Sequence, residues 1–482
     1  MLRLETEARQ ALWGRLVAAI EGYAEGVDDL PVAPPADLGE LRRLLAPFDF
    51  ARPLDPEAAL DFAVAGLTRH QVHTPHPRYF GLFNPAPTTM GIAADALVAA
   101  WNPQLAAWSH NPFAAEVEQH LLRALAGRFG YDPARAEGTF CSGGAEANHT
   151  ALLVALQRAF PEAGRRGLLA LRSQPLLYVS SEAHHSFAKA ARLSGLGTEA
   201  VREVGLDERQ RLSVGDLRRR LAADREAGHT PFLVVATAGT TSAGIIDPIA
   251  ELAEVADEEG LWLHVDAAWG GAAALVPELR PALAGIERAD SITIDAHKWL
   301  SVPMGAGIYL HRHPGFLERT FRVVAAGYMP RAAAGLAVAD PYAHSMQWSR
   351  RFIGLKLFLS LAVAGWEGYE AAIREQTRLG QRLRALLVAD GWEIVNDTPL
   401  PLVCFVDGRG PEGRTAEALE EVAAAVVASG AAWINVVRLG EIGPALRACI
   451  TNYRTRESDL EALMRALAGA RELSHNVGAR HS

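Results

Sequence analysis

The spacing of hydrophobic residues changes along the 482-residue chain and divides it into three parts. Near the start, Leu12, Leu16 and Ile20 recur at helical spacing among polar residues, which predicts an amphipathic helix. Proline and aromatic residues then become frequent, and the string HTPHPRYFGLFNPAPTTMG is too rich in them to form a regular element. This segment could lie against a neighbouring subunit, or it could cover the core of its own chain.

From about residue 115 the chain alternates short apolar runs with stretches of helical periodicity such as AEANHTALLVALQRAF. The apolar runs are residues 176–180, 232–237, 261–265, 291–294 and 306–310. Apolar strands that alternate with helices indicate a largely parallel sheet with helices on both of its faces.

Near residue 370 this alternation ends, and a long helical stretch leads into a final segment with LPLVCFV and ALRACITN as strands. We therefore predict an α/β protein in three parts. These are an N-terminal helical segment (1–80), a large domain with a mostly parallel sheet (81–365) and a smaller C-terminal α+β domain (366–482).

Composition argues against several classes of protein. With 49% hydrophobic and 21% charged residues, the chain can build one large core and a smaller one. Its net charge of −9 argues against nucleic acid as a partner. No apolar stretch has the length of a membrane span, and the first residues do not resemble a signal peptide. Cys141, Cys404 and Cys449 lack the spacing of a metal site or a disulfide framework, so we expect a cytoplasmic protein without a metal.

Two residues at the ends of predicted strands suggest a specific chemistry. Lys298 follows the run SITI, and its apolar neighbours would favour the uncharged amine that attacks a carbonyl to form a Schiff base. Asp266 ends the string LWLHVD, and the small residues Ala267 and Ala268 after it would leave room for a flat ring. Taken singly, the lysine could be an ordinary solvated side chain and the aspartate a structural carboxylate.

Other strand ends carry groups that suit an anion or a ring. Gly143 and Gly144 precede a helix, whose N-terminus attracts anions, although the pair could equally form a simple tight turn. His184 could stack on an aromatic ring or move a proton, or it could be an ordinary loop histidine. Thr240 and Thr241 add hydroxyl groups after the run FLVVAT.

In open α/β sheets ligands bind beyond the carboxyl ends of the strands, so these groups should converge there. A lysine that forms a Schiff base and a carboxylate that keeps a pyridine nitrogen protonated are the minimal equipment for holding pyridoxal phosphate (PLP). Asp247 is expected to have a different role, as the cap of a helix that begins at Pro248.

The chain contains, in the order in which one family has them, the strings SGGAEAN, AHHS, GTTSAGIID, HVDAAWGG, DAHKWLSVP and SMQWSRRFIGLKLFLSLAVAGWEGY. It resembles the group II PLP-dependent amino acid decarboxylases, such as the aromatic-L-amino-acid, glutamate and diaminobutyrate decarboxylases, over roughly residues 75–460. The resemblance implies an α/β PLP-dependent transferase fold of type I. It also implies a homodimer with active sites at the interface, in which residues 1–80 pack on the partner subunit.

The resemblance also implies roles for individual residues. Lys298 would carry the cofactor, Asp266 would pair with its ring nitrogen, and His184 would stack on the ring near the substrate carboxylate. Asp295 stands where aromatic decarboxylases tend to have asparagine, which would place an anion close to the phosphate. The implied cofactor contacts are Gly143, Gly144, Ala145, His184, Thr241, Asp266, Ala268, Asp295, His297 and Lys298.

The reaction type depends on one further residue. The segment FRVVAAGYMPRAAAGLAVADP is rich in glycine and alanine and is a candidate mobile loop. Its Tyr328 is similar in position to the loop tyrosine with which decarboxylases return a proton to Cα after CO2 leaves, whereas relatives that form aldehydes typically have phenylalanine. The resemblance therefore implies a carboxy-lyase with Lys298, His184 and Tyr328 as catalytic residues.

The substrate is less well defined. Ala86 falls where aromatic decarboxylases have a substrate contact, whereas Ala106 and Gln104 replace an aromatic and an aliphatic residue of the pocket. Asn84 and Gln104 could bind a polar side chain or face water, and Arg447 could bind a carboxylate or have a structural partner. Family prevalence favours an aromatic L-amino acid, while a polar or acidic amino acid such as 2,4-diaminobutyrate or glutamate stays open.

Three other functions remain open at this point. The fold also supports decarboxylation-dependent aldehyde formation or retro-aldol cleavage, against which Tyr328 argues, and it supports transamination. An inactive member of the family could act as a binding or scaffold protein, but Lys298, Asp266 and His184 are all present.

Overall fold

The computed structural model describes residues 2–323 and 338–478. Its α-helices are α1 (Thr6–Gly26), α2 (Leu38–Leu45), α3 (Pro56–Arg69), α4 (Thr89–Trp101), α5 (Pro112–Arg128), α6 (Gly144–Ala159), α7 (Ala163–Arg166), α8 (Ser186–Leu193), α9 (Val214–Glu226), α10 (Ile249–Glu259), α11 (Phe316–Phe321), α12 (Leu355–Ala389), α13 (Ala416–Ala428) and α14 (Glu457–Gly478). Its strands are β1 (Glu137–Cys141), β2 (Pro175–Ser180), β3 (Val201–Val204), β4 (Thr230–Thr237), β5 (Trp262–Asp266), β6 (Ser291–Asp295), β7 (Gly307–His311), β8 (Trp392–Ile394), β9 (Leu402–Asp407), β10 (Asn435–Leu439) and β11 (Gly443–Cys449). None of these helices is long and apolar enough to cross a membrane.

The large sheet has the strand order β1-β7-β6-β5-β4-β2-β3. Strand β7 runs antiparallel to both of its neighbours, and the pairs from β6 to β3 are parallel. The prediction of an α/β fold with a mostly parallel sheet is therefore confirmed. The sequence analysis missed β1 and β3, because the short strings EGTFC and VREV mix polar residues into their apolar pattern.

The central strands β4, β5 and β6 place three polar side chains at their carboxyl ends. Thr237, Asp266 and Asp295 are the last residues of these strands, and Thr237 is directly opposite Asp266 in the β4–β5 register. Strands β5 and β6 are buried along their whole length, since helices cover both faces of a parallel sheet. These three side chains therefore lie side by side at one buried edge of the sheet.

The N-terminal helix α1 forms where the hydrophobic spacing predicts it, but none of its residues is buried within this chain. Trp13, Val17 and Ile20 keep 55%, 58% and 37% of their surface exposed. A cavity of about 620 Å³ lies beneath the helix and is lined by Leu16, Ile20 and other apolar residues of α1 and α3. The apolar face of α1 is thus left largely uncovered by its own chain.

The C-terminal part begins in a long helix and contains a second sheet. Helix α12 is broken at Gly365, whose φ of 64° and ψ of 176° suit glycine alone. The second sheet has the strand order β10-β11-β9-β8, and its pairs are antiparallel. The predicted boundary between residues 365 and 366 falls at the break in α12, and we keep this division as a proposal.

Asp247 does not cap a helix, so that prediction was wrong. Helix α10 begins at Ile249, and the residue before it is Pro248, which makes no side-chain capping bond. The Asp247 carboxylate instead accepts the backbone N–H groups of Leu212 and Thr237, each at 2.7 Å. Complete burial raises the pKa of Asp247 to about 6. The carboxylate points inward, where its two hydrogen bonds connect the loop that contains Leu212 to the end of β4.

Candidate active site

A pocket opens beyond the carboxyl ends of β4, β5 and β6, where the sequence predicted the functional groups to converge. Most of the residues predicted to contact a cofactor line it. Among the described residues, its lining consists of Gly144, Ala145, Asn148, His184, Thr237, Gly239, Thr241, Asp266, Ala268, Trp269, Asp295 and Lys298.

The N-terminus of α6 forms one side of the pocket. Helix α6 begins at Gly144, and the first N–H groups of a helix have no partner within it, which makes this end suitable for an anion. A Cβ atom on Gly144 would lie only 2.7 Å from Oδ2 of Asp295, so glycine is required there by close approach. Gly143 lies behind this turn, and a Cβ atom there would meet its nearest neighbour, Cε1 of His297, at an ordinary 3.5 Å.

Lys298 and Asp295 form an ion pair in the pocket. Nζ of Lys298 lies 3.0 Å from Oδ2 of Asp295, and their side chains are 23% and 2% exposed. Oδ1 of Asp295 is buried without a hydrogen-bond partner in the described part of the chain. The expectation that the neighbours of Lys298 are apolar is therefore corrected, because a buried carboxylate lies beside its amine.

Among the described residues, Asp266 receives hydrogen bonds only from neutral donors. Its Oδ2 accepts a hydrogen bond from Nδ2 of Asn148 at 2.8 Å, and its Oδ1 accepts one from the backbone N–H of Ala268 at 3.1 Å. The residue is 6% exposed, so these two bonds fix the position of a buried carboxylate. One face of the carboxylate remains directed at the pocket that it lines.

Two histidines lie near these carboxylates. His184 is exposed at the mouth of the pocket, and its Nδ1 accepts the backbone N–H of Ser186 at 3.2 Å. His297 is buried behind Asp295, and its Nδ1 accepts the backbone N–H of Ala306 at 3.1 Å. Desolvation lowers the pKa of both imidazoles, which favours their neutral forms.

Two aromatic rings and a second cation, Arg447, lie near Lys298. The rings of Phe83 and Trp269 stack with their centroids 4.5 Å apart, and Nζ of Lys298 lies 5.8 Å from the Phe83 centroid. The Arg447 guanidinium lies 4.9 Å from the same ring and is completely buried. Its Nε and Nη1 donate to the carbonyls of Thr241 and Gly81, at 3.0 and 2.6 Å, whereas Nη2 has no partner among the described residues.

Asn148 and Thr237 are further residues of the pocket that the sequence analysis missed. Asn148 follows the predicted SGGA turn by one helical turn, and Thr237 is the last residue of the run FLVVAT, so position offered a signal for both. The Thr237 hydroxyl is buried at the pocket without a hydrogen-bond partner in the described part of the chain.

Several predicted residues do not line this pocket. Ala86 is buried on the wall of the cavity beneath α1, so its role as a substrate contact stays a prediction. Asn84 donates to Sδ of Met304 and Gln104 donates to Oγ of Ser349, so both have partners within the chain. Tyr328 lies outside the described residues.

Known proteins that are similar to this chain identify its family. Residues 40–407 match the family model described as the pyridoxal-dependent decarboxylase conserved domain. The chain belongs to this family. It is 31% identical to the aromatic-L-amino-acid decarboxylase of Bacillus atrophaeus over 98% of both chains, and 32% identical to the human cysteine sulfinic acid decarboxylase over 83% of both. The crystal structure of Oryza sativa TDC with PLP and tryptamine superposes with a TM-score of 0.90 at 25% identity, covering 98% of this chain and 99% of that one.

The predictions of the family, the fold, a PLP-dependent carboxy-lyase and its cofactor are thereby confirmed. The chemistry of the pocket residues also fits PLP, independently of the comparisons. Lys298 offers an amine for its carbonyl group, Asp266 a carboxylate for its ring nitrogen, and the start of α6 an anion site for its phosphate. The unpartnered Thr237 hydroxyl and Asp295 Oδ1 are buried polar atoms that a polar ligand would satisfy.

Proposed function

We propose that this pyridoxal-dependent decarboxylase acts on an aromatic L-amino acid and releases the corresponding amine and CO2 in the cytoplasm. The observation that carries the aromatic preference is the stacked pair of Phe83 and Trp269 beside Lys298. Trp269 of this pair lines the pocket, and aromatic rings associate favourably in stacked or tilted geometries. The whole-length relative from Bacillus atrophaeus, an aromatic-L-amino-acid decarboxylase, supports the same substrate class.

The proposed roles of the residues follow from their positions. When bound, PLP supplies an electron sink for the electron pair that remains at Cα as CO2 leaves. Lys298 would hold the carbonyl carbon of the cofactor, and Asp266 would hold the proton on its ring nitrogen. The N–H groups of Gly144 and Ala145 would bind the phosphate, with Gly143, Thr241, Ala268, Asp295 and His297 completing the cofactor site.

His184 and Tyr328 would act on the substrate. His184 lies at the mouth of the pocket, from which it would orient the substrate carboxylate and cover one face of the ring. We propose that Tyr328 donates the proton to Cα, with the help of His184, once CO2 has left. Exclusion of water by the segment that carries Tyr328 would prevent side reactions.

An acidic amino acid is the second candidate substrate class, and Arg447 is the observation that favours it. A buried guanidinium that has, among the described residues, no partner for Nη2 and no carboxylate partner suits an anionic group of a ligand. The substrate's own α-carboxylate would satisfy Nη2 as well, so Arg447 is compatible with both candidates. The name of the human relative, cysteine sulfinic acid decarboxylase, is consistent with an anionic side chain.

The decisive experiment measures CO2 release and identifies the amine with each proteinogenic amino acid, ornithine, 2,4-diaminobutyrate and cysteine sulfinate. We expect the highest kcat/KM with tyrosine, tryptophan or phenylalanine. A higher kcat/KM with glutamate, aspartate or cysteine sulfinate would replace the aromatic proposal by the acidic one. A preference for 2,4-diaminobutyrate or ornithine would contradict both.

The same assay separates the other reaction types of this fold. Hydrogen peroxide and aldehyde in place of amine would indicate oxidative decarboxylation, and conversion of added 2-oxo acids would indicate transamination. Lys298→Ala should abolish the near-visible absorbance of bound PLP together with activity. Retention of that absorbance in the variant would contradict the assignment of Lys298.

We further propose a homodimer in which residues 1–80 pack on the partner subunit. The exposed apolar side chains Trp13, Val17 and Ile20 support this arrangement, because such a face rarely stays in water. Sedimentation equilibrium of the full chain should give twice the 51.8 kDa mass of one chain. Replacing Trp13 and Val17 with glutamate should shift that equilibrium towards monomer, and a monomeric wild-type enzyme would overturn the proposal.

A further inference from the structure

The residues that hold Asp266 in place form a hydrogen-bonded row that continues away from the pocket into the sheet. On β5, Trp262, His264 and Asp266 occupy alternate positions and therefore point to the same face. Ser291 is opposite His264 in the β5–β6 register, and α6 brings Asn148 onto the same face. Trp262, His264, Ser291 and Asn148 are each at most 1% exposed. The row is therefore shielded from bulk solvent.

The direction of each hydrogen bond in the row can be assigned from its two ends. The Trp262 indole can only donate, and its Nε1 lies 2.8 Å from Oγ of Ser291. The Ser291 hydroxyl, which accepts that bond, is then free to donate to Nδ1 of His264 at 2.8 Å. A histidine that accepts at Nδ1 carries its proton on Nε2.

The other end gives the same direction. The Asp266 carboxylate can only accept, so the Asn148 atom 2.8 Å away is Nδ2, and the amide oxygen faces His264. That oxygen lies 3.2 Å from Nε2 of His264, which must therefore be the donor. Nδ2 of Asn148 also donates to Oγ of Ser186 at 2.9 Å, which fixes the amide plane. The Asp266 end thus requires the proton of a neutral His264 on Nε2, and the Trp262 end is compatible with that tautomer.

The environment of His264 is consistent with this state. Complete burial lowers the pKa of His264 to about 4, so the imidazole stays neutral at ordinary pH. Thr293 provides a second acceptor for the same proton, since its Oγ1 is also 3.2 Å from Nε2. The His264 ring packs against Phe187 and Tyr309, at centroid distances of 5.8 and 6.4 Å.

We propose that His264 is a positioning residue for the cofactor partner Asp266, acting through Asn148 in a donor chain from Trp262 to the carboxylate. Each group in the chain donates towards Asp266, so the chain can present only hydrogen-bond donors to it. The carboxylate is thereby kept as an acceptor, oriented to receive a proton-bearing ring nitrogen. The inference rests on the assignment of PLP to this pocket and extends it to residues that do not touch PLP.

Two substitutions of His264 separate a hydrogen-bonding role from a packing role. His264→Phe keeps an aromatic ring between Phe187 and Tyr309 but removes both hydrogen bonds. His264→Gln loses the ring but keeps a donor and an acceptor about as far apart as the two imidazole nitrogens. The release of PLP from the full-length holoenzyme is followed by the decay of its near-visible absorbance after dilution, and the melting temperature of each apoenzyme is recorded.

We expect His264→Phe to release PLP about tenfold faster or more, since removing one partner of a buried hydrogen bond leaves the other unsatisfied. His264→Gln should stay within about threefold of wild type, by the same reasoning. The reverse order, with the phenylalanine variant like wild type and the glutamine variant impaired, would show that the ring only fills space and would overturn the proposal. Equal impairment of both would overturn it too.

Ser291→Ala provides an independent test should His264→Phe not fold. It removes a single oxygen, leaves His264 without a fixed donor at Nδ1, and should accelerate PLP release several-fold. Unchanged release in this variant contradicts the donor chain. A wild-type enzyme that binds no PLP at all would instead contradict the cofactor assignment, so the two failures are distinguishable.

Discussion

Replacing Gly144 with alanine tests the close approach of α6 to Asp295. The added Cβ atom would lie 2.7 Å from Oδ2 of Asp295 and 3.3 Å from its Cγ and Oδ1. Ordinary contacts of a Cβ atom begin near 3.4 Å, so the carboxylate must move by roughly 0.7 Å or the start of α6 must shift. Either movement disturbs the 3.0 Å ion pair between Asp295 and Lys298.

The size of the effect follows from the cost of overpacking. Inserting a methyl group into a well-packed site costs about 1–3 kcal/mol. Since 1.4 kcal/mol corresponds to a factor of ten, PLP affinity should fall roughly 5- to 150-fold if the site bears the whole cost. The assay is titration of the apoenzyme with PLP, followed by near-visible absorbance, together with kcat/KM at saturating PLP.

Gly143→Ala is the matched control for this experiment. Gly143 has an extended φ of 173°, which any residue adopts, and a Cβ atom there would meet His297 Cε1 at 3.5 Å. We therefore expect this variant to bind PLP within about threefold of wild type, because ordinary van der Waals contact costs little. Equal PLP affinity of Gly144→Ala and Gly143→Ala would refute the argument from close approach.

Three further predictions concern substrate binding and stability. Arg447→Lys loses the guanidinium donors to the carbonyls of Thr241 and Gly81, so the free energy of unfolding should fall by about 1–3 kcal/mol in denaturant titration. In steady-state kinetics the KM for the substrate should rise more than kcat falls. An unchanged KM would remove Arg447 from the substrate site. Burial lowers the pKa of His76 to about 4 from 6.5, so its contribution to stability is present above about pH 6.5 and is lost as pH falls towards 4. His76→Asn, which cannot titrate, should reduce the loss of stability between pH 7.5 and 5 by roughly 2 kcal/mol in urea unfolding, and an unchanged pH profile contradicts this. Gly365→Ala should lower the free energy of unfolding by about 1–2 kcal/mol through its positive φ, with kcat/KM unchanged; a variant as stable as wild type would show that α12 relaxes at the break.

The residues at the strand ends could be predicted because local pattern determines them. In a parallel sheet each buried strand is an apolar run, and the polar residue that ends the run lies at the ligand-binding edge. Asp266 and Lys298 follow such runs, and the structure brings both into one pocket. The positions of Asp266 and Lys298 therefore needed no tertiary information.

The partners of those residues could not be predicted in the same way, because they come from distant parts of the chain. Asn148 bonds Asp266 across 118 positions, and Arg447 bonds the carbonyl of Thr241 across 206. No local period relates such pairs, since their separation depends on how helices and the second sheet pack on the first. The role of Asp247 was mispredicted for the same reason. Its carboxylate binds two backbone N–H groups that come close to it only in the folded protein, and it therefore does not cap the helix.

The charges of the pocket explain why these partners matter. Asp266 and Asp295 are both buried carboxylates at the ends of adjacent strands, but only Asp295 is paired with a cation, Lys298. Asp266 has no ion pair among the described residues and receives only the neutral donors Asn148 and Ala268. A buried carboxylate without a counter-ion is costly, and no cation among the described residues is paired with this one. A ligand that places a protonated ring nitrogen at Asp266 supplies that counter-ion, and the pocket therefore favours the protonated pyridine ring that decarboxylation requires.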